Sequence, residues 1–359
     1  MASFGNQNAS PQAADSAFPN IPSDSISCLA VNGTRQTPTT VVSAGSWDKS
    51  LSIYEITYNG ANLGNVVHRG AIQHDGPVLS ADFMSDQQTV FSGGADGTVR
   101  MWNCTQGPQA LQTIGKHDQA VRCVKWIPEL NVVASASWDK TLRLWDCRQP
   151  TPAMTVQTAE RIYAMDAAGK VVVMGTADQH LHAWPDITQQ QNKFEYKSPL
   201  NYQTRCVSIF ADQQGFAVGS IEGRVAIEYF SECANKPRLG STQKSTTENS
   251  QSFVFKCHRD GNDIYGVNAI DFHTTNKFLT AGSDGTIVWW DKDKRNRLAI
   301  RDRFKKEAPI VAAKFSPNGQ SMFYAASYDW GKGADAAPQC QTNTIMHHAV
   351  KESDIATRK

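Results

Sequence analysis

The stretch SASWDKTLRLWDC, residues 135–147, joins a flat run of small residues, an acidic turn and an alternating strand that ends on an aromatic. Asp-Lys suits a tight turn, and the period-two run behind it reads as a half-buried strand. The same order recurs in AGSWDKSLSIYEI (44–56), GGADGTVRMWNC (93–104), GTADQHLHAWPD (175–186), GSIEGRVAIEYF (219–230), AGSDGTIVWWDKD (281–293) and a degenerate AASYDWGKG (325–333). Aligned on Asp48, Asp96, Asp139, Asp178, Glu222, Asp284 and Asp329, the copies stand 48, 43, 39, 44, 62 and 45 residues apart. That is the period of a four-stranded blade, and seven such units close into a ring. The expected architecture is all-β, a seven-bladed propeller.

Three units carry a further pattern: a His upstream, a Ser or Thr four before the acidic residue and a Trp six after it. The sets are His74, Ser92, Asp96 and Trp102; His117, Ser135, Asp139 and Trp145; and His258, Thr280, Asp284 and Trp290. Buried imidazole, hydroxyl, carboxylate and indole can satisfy one another as a hydrogen-bonded chain, which a β core without other polar partners requires. An active site would not recur in three blades, so the sets are structural. Eight of the nine tryptophans lie in or beside the signature windows, and Trp145-Asp146 completes a pattern that resembles the WD40 repeat.

No phosphate-binding loop, nucleophile elbow, zinc-protease or dinucleotide motif is present. His180 with His182, and His347 with His348, lack a carboxylate or thiolate at ligand spacing. The eight cysteines form no C-x-x-C pair, and Asp291 with Asp293 runs into Lys294 and Arg295 instead of the glycine and acids of a calcium loop. No catalytic residue, cofactor or metal is therefore expected.

Lys and Arg number 35 against 34 Asp and Glu, a net charge of +1, which excludes a protein whose overall field drives it onto nucleic acid or membrane. The average hides a local excess. Residues 292–306 hold eight basic and two acidic side chains, +6, leaving −5 for everything else. No apolar run is long enough to span a bilayer, and the first cation is Arg35, so no signal peptide or presequence is read and a cytoplasmic or nuclear location is expected. The expected layout is a tail at 1–22 whose end, Phe18–Ile21, is placed to pair with the last blade, a ring over 23–350, a Ser/Thr-rich insertion at 231–252 and a tail at 351–359.

In such a blade the acidic turn and the loop before the first strand emerge on one side. The residues flanking these points are Trp47, Trp138, Arg161, Tyr163, Arg205, Arg224, Tyr265, Tyr328 and Trp330, a composition typical of binding hot spots. Its arginines point to an acidic peptide. The basic run beside Trp289, Trp290 and Phe255 offers stacking surfaces next to cations, which suits single-stranded nucleic acid.

Beyond the repeat, TRCVSIF (204–210), GSIEGRVAIEY (219–229), FVFKCHR (253–259), DIYGVNAIDFH (263–273), GSDGTIVWWDKDKRNRL (282–298) and YAASYDWGKG (324–333) resemble the nuclear-pore mRNA export propellers of the Rae/Gle family. A related mitotic-checkpoint propeller shares several of these segments. The resemblance implies a non-enzymatic nuclear scaffold at the nuclear pore that docks the acidic GLEBS motif of an FG nucleoporin and, with it, binds single-stranded RNA. By position it assigns Arg205 and Arg224, with Trp47 and Trp138 on the same face, to the nucleoporin peptide. It assigns Phe255, Trp290, Asp291, Lys292, Arg295 and Arg297 to nucleic acid. The match is poor over 336–359. Two other roles stay open: a checkpoint scaffold holding a kinase GLEBS segment, and a cullin-ligase adaptor, since Trp145-Asp146-Cys147-Arg148 fits the W-D-x-R docking pattern.

Overall fold

Four antiparallel strands recur seven times in the computed structural model, which describes residues 15–32, 39–59, 62–234, 236 and 250–356. Blade 1 takes Ile26–Asn32, Thr39–Ser46, Ser50–Asn59 and Asn62–Gln73; blade 2 takes Val78–Phe83, Thr89–Gly94, Thr98–Asn103 and Leu111–Lys116. Blade 3 is Val121–Ile127, Val132–Ser137, Thr141–Trp145 and Met154–Gln157; blade 4 is Ile162–Ala168, Val171–Thr176, His180–Trp184 and Phe194–Lys197. Blade 5 is Thr204–Ile209, Gly215–Ser220, Arg224–Tyr229 and Phe253–Lys256; blade 6 is Val267–Phe272, Lys277–Gly282, Ile287–Asp291 and Asn296–Arg301. Blade 7 joins Ile310–Phe315, Ser321–Ala326 and Thr344–Ala349 to Ser16–Ala17. The first strand of each blade packs on the first strand of the next, and the seventh packs on the first, so the ring is closed around a channel.

The small residues of the repeat explain how the blades approach. Three positions before each acidic turn residue stand Gly45, Gly93, Ala136, Gly175, Gly219, Ala281 and Ala326. A Cβ on Gly45 would lie 2.8 Å from Val78 of the next blade, and one on Gly219 would lie 2.9 Å from Val267. Between these close approaches each seam holds its own apolar cluster, such as Ala136, Leu142, Ile162, Met174 and Trp184 between blades 3 and 4. Each buried aliphatic side chain stabilises by roughly 1.5–3 kcal/mol. Stability is thus distributed over seven seams, and an open ring would forfeit one of them.

Aspartates of three first strands reach across to the next blade. Asp82, Asp166 and Asp271 accept backbone N–H bonds from Trp126, Ile209 and Phe315 of the following blade, at 2.9, 2.9 and 2.8 Å. On one rim, a backbone bond in every blade ties the turn after the second strand to the loop before the first. The seven pairs run from Trp47 to Ser25, Ala95 to Pro77, Trp138 to Ala120, Ala177 to Arg161, Ile221 to Gln203, Ser283 to Gly266 and Ser327 to Pro309. Just inside that rim every first strand carries a one-residue bulge, at Ser27, Leu79, Arg122, Tyr163, Arg205, Asn268 and Val311. All seven bulge residues line the channel.

The tails differ from the expected layout. Ring closure begins at Ser16, opposite His347, and the last ladder bond is the Phe18 N–H to Ile345 at 2.9 Å, so the pairing runs over 16–18 and meets the expected Phe18–Ile21 segment at Phe18 alone. Phe18 is buried against Tyr54 and Phe323, which locks blade 1 to blade 7. At the other end Glu352–Ile355 forms a helical turn with Asp354 buried, because Asp354 pairs with Arg301 of blade 6 and His348 of blade 7. Most of the 231–252 insertion and the N-terminal Met-Ala-Ser-Phe-Gly lie outside the described residues.

Candidate functional site

The polar sets that recur along the chain fold into two closed chains and one altered one. In blade 3, His117 meets Asp139 at 2.8 Å through Nδ1 and Ser135 at 2.7 Å through Nε2, and the Trp145 indole donates to Ser135 at 2.7 Å. Blade 6 repeats this with His258, Asp284, Thr280 and Trp290 at 2.8–2.9 Å. Blade 2 departs from the expected set. Arg100 inserts between His74 and Asp96, donating to each at 2.9 and 2.6 Å, and Trp102 donates to the Gly107 carbonyl instead of to Ser92. Burial, followed by the Arg100 cation, pushes the His74 pKa down to about 4. The bonded atoms of these groups face one another inside the blades and act as fasteners.

The rim with the acidic turns carries the residues expected to hold a peptide, but in three groups. Trp47 of blade 1 packs on Trp330 of blade 7 with ring centroids 5.4 Å apart. Trp138 of blade 3 meets Tyr163 of blade 4 edge-on at 6.5 Å. Both Trp138 and Trp330 have a buried indole N–H without a hydrogen-bond partner among the described residues. Arg205 leans from blade 5 toward blade 7, donating to the Asp329 carbonyl at 3.3 Å with the Asp329 carboxylate at 3.7 Å. Arg224 lies at the start of the third strand of blade 5, 3.3 Å from Glu222 and partly exposed. Asn201 and Arg259 both bond Glu222, and beside them in the chain or ladder lie Tyr202, Ile221 and Ile264, 56%, 39% and 52% exposed. The sequence reading missed these three apolar side chains; Tyr202 and Ile221 occupy turns and Ile264 a two-residue hairpin strand, where a large apolar residue has no core to fill.

The residues expected to meet nucleic acid gather at the outer seam of blades 5 and 6, two of the six with buried side chains. Phe255 and Trp290 are in contact, centroids 4.6 Å apart, and Arg297 sits opposite Trp290 in the ladder, exposed and without an ion-pair partner among the described residues. Arg295 lies over Phe253 and donates to the Ser250 carbonyl. Asp291, however, is buried; it pairs with Lys277 at 3.0 Å and caps its own turn by accepting the N–H groups of Asp293 and Lys294. Lys292 is buried too, 2.7 Å from Asp293 and held over the rings of Phe210 and Tyr229. Its stem runs inward because the strand ends at Asp291 and the turn folds back on blade 5. Lys292 and Arg295 face a cavity of about 410 Å³ that Asp212, Tyr229 and Gln251 also line.

The +6 run is not one patch. Arg301 is spent on Asp15 and Asp354, Lys305 and Lys306 both face Asp260, and Arg303 bonds the Asp15 carbonyl. What remains at the seam is Lys294, Arg295 and Arg297. In the W-D-x-R segment, Arg148 is exposed but chelates Asp146 at 2.8 and 2.7 Å, which holds the Asp146 carboxyl down at about 2. No cluster of three metal-ligating side chains occurs among the described residues.

The WD domain, G-beta repeat family matches residues 67–103, 108–146 and 249–291. Over nearly the whole chain the sequence is similar to Protein RAE1 of Arabidopsis thaliana, 40% identical with 100% of this chain and 97% of the relative covered. It is 39% identical to mRNA export factor GLE2 of Chaetomium thermophilum, covering 94% and 90% of the two chains. It is 36% identical to the Poly(A)+ RNA export protein of Schizosaccharomyces pombe, covering 94% and 91%. With seven blades, WD40 repeats and full-length similarity at this level, the chain belongs to the RAE1/GLE2 family of WD40-repeat mRNA export factors.

Proposed function

We propose that this chain is a non-enzymatic scaffold of mRNA export, acting in the nucleus and at the nuclear pore. It docks the acidic GLEBS segment of an FG nucleoporin on the turn-bearing rim and contributes a single-stranded RNA contact at the outer seam of blades 5 and 6. The export role rests on relatives named mRNA export factor and Poly(A)+ RNA export protein. The observation that carries the docking face is Arg224, partly exposed and paired with Glu222, on whose bonded turns Tyr202, Ile221 and Ile264 stand exposed. Exposed apolar side chains around a guanidinium suit a peptide with carboxylates flanked by apolar residues. For RNA, the supporting observation is Phe255 against Trp290 beside Arg297, aromatic rings next to an exposed cation.

A checkpoint kinase segment of the same acidic kind would compete for this rim, so that role shares the site. Ligase docking through Arg148 has less support, since its guanidinium is already committed to Asp146. The test is calorimetric titration of the full chain with a synthetic GLEBS peptide. Arg224→Glu, and the pair with Arg205→Glu, weaken binding at least tenfold; an unchanged Kd for Arg224→Glu removes this face.

A further inference from the structure

Blade 5 takes residues 230–252 to pass from its third strand to its fourth, where blade 6 needs only 292–295. Both described ends of this insertion are tied to the blade. On the outgoing side Lys236 reaches buried Glu228 at 2.9 Å, and Tyr196 of blade 4 donates to the same carboxylate at 3.0 Å. On the return side Glu232, in the helical turn Phe230–Cys233, accepts the Ser250 hydroxyl at 2.7 Å and the Gln251 and Ser252 amides at 2.6 and 3.1 Å. Burial opposes the charge on Glu232, but the hydrogen bonds from Ser252, Ser250 and Gln251 hold its carboxyl down at about 2, so it accepts as a carboxylate at neutral pH.

The return stem in turn holds an arginine. Arg295 Nη2 donates to the carbonyls of Ser250 and Gln251 at 3.0 and 3.3 Å, and the guanidinium lies 4.6 Å over the Phe253 ring. Phe253 starts a row of rings that passes through Phe255 to Trp290, with centroids 6.0 and 4.6 Å apart. Ser231 and Gln251, both from the insertion, line the cavity that Lys292 and Arg295 face. An arginine on an exposed turn loses much rotamer freedom when it meets a phosphate. Two carbonyls and a ring remove that freedom in advance while engaging one nitrogen, which leaves Nη1 and Nε to donate. The carbonyls hold their place through the bonds of 250–252 to Glu232, with one further bond from the Tyr229 N–H to Ser252 Oγ at 3.2 Å.

We propose that Glu232 is a positioning residue for RNA: by clasping the return stem of the insertion it presents the Arg295 guanidinium, over Phe253, to a backbone phosphate. This rests on the RNA contact proposed above and gives the insertion a part in it. Electrostatics alone has the opposite sign. A carboxylate beside a cationic seam repels RNA, so its removal by charge alone tightens binding, whereas removal of a positioning residue loosens it.

The test is fluorescence anisotropy of the full chain with a labelled oligouridylate over a range of salt. Arg295→Ala weakens binding and lowers the slope of log affinity against log salt by about 0.7. Glu232→Ala weakens binding about fivefold although it removes a negative charge, and the double variant binds no more weakly than Arg295→Ala alone. Glu232→Gln and Ser250→Ala, which each keep part of the clasp, fall between, and melting temperatures equal to that of the native chain separate the effect from a folding defect. If Glu232→Ala does not fold, these two variants carry the same comparison. If loosening the clasp leaves affinity unchanged or raises it, if its loss adds in full to that of Arg295→Ala, or if Arg297→Ala weakens binding and Arg295→Ala does not, the positioning role is wrong and the RNA contact stands. If neither Arg295→Ala nor Arg297→Ala weakens binding, the RNA contact fails and the positioning role falls with it.

Discussion

His348 stands between Asp15 and Asp354, its Nδ1 2.9 Å from one carboxylate and its Nε2 2.9 Å from the other. Both ring nitrogens face carboxylates, an arrangement that favours the doubly protonated, cationic ring. Burial alone would lower its pKa, but the hydrogen bonds to Asp15 and Asp354 outweigh that and the net shift is upward. Arg301 faces the same two carboxylates, Tyr324 donates to Asp15, and the Lys351 N–H donates to Asp354. One imidazolium therefore ties the strand that closes the ring to the C-terminal helical turn.

The sign of the pH effect follows. A raised His pKa contributes stability that is complete below the unfolded value, about 6.5, and is lost as pH rises through the folded value. For Asp15 and Asp354, burial raises the pKa, but hydrogen bonds, His348 foremost, bring the net shift below normal; their contribution is present above about 4 and lost as pH falls through the folded values. The latch is tightest between those limits. Hydrogen exchange at the Phe18 amide, corrected for intrinsic rate, should quicken from pH 6 to pH 9 in the native chain and show no such rise in His348→Gln. A pH-independent native latch would refute the charged state.

The fasteners of blades 2 and 3 should differ in worth. Ser135→Ala strands two buried groups, His117 Nε2 and the Trp145 indole, whereas Ser92→Ala strands only His74 Nε2, whose bond is already 3.2 Å long. At about 1–3 kcal/mol for each unsatisfied buried group, Ser135→Ala should cost about twice as much in urea unfolding as Ser92→Ala. Equal costs would mean that the Trp145 bond contributes nothing.

At the blade 5 and 6 seam the two kinds of cation should separate. Neutralising Arg295 and Arg297 lowers the slope of log affinity for single-stranded RNA against log salt by about 0.7 for each phosphate that then goes unneutralised. Lys292→Ala leaves that slope unchanged and instead lowers stability by about 2 kcal/mol, since its ammonium is buried over Phe210 and Tyr229. A drop in slope for Lys292→Ala would return it to the RNA-binding surface.

The ring and its seven units are legible because residue type recurs at a fixed period, and the complete chains of blades 3 and 6 because the His, hydroxyl, acid and indole recur at fixed spacing. Features set by a rotamer or by distant partners are not. Arg100 and Arg143 occupy the same repeat position, yet one swings into its blade and the other reaches the Lys116 carbonyl. His347 and His348 look like a ligand pair because they are adjacent; the partners of His348 come from opposite ends of the chain, and His347 bonds Ser321 instead. The bulges leave no trace in composition, since one extra residue in a strand changes which face a side chain takes without changing what the residue is. Arg122 therefore reads as an ordinary strand residue until the pairing is known.

The small position of each unit yields the most general prediction. Gly93 faces blade 3, where an added Cβ would come within 2.7 Å of Val124 and closer still to Val121. Both valines are fully buried, and Val121 opens the strand that is bulged at Arg122, so neither side of the seam can retreat without moving the channel wall. Overpacking of this kind costs about 1–3 kcal/mol. Gly93→Ala should therefore destabilise the ring although alanine suits a strand better than glycine. Val121→Ala should destabilise it through a cavity. The double variant should be more stable than the sum of the two losses by about 1 kcal/mol, because the methyl removed at Val121 makes room for the one added at Gly93. Urea unfolding of the four chains measures the coupling. Additive losses would show that the small residue serves its own strand and not the fit between blades.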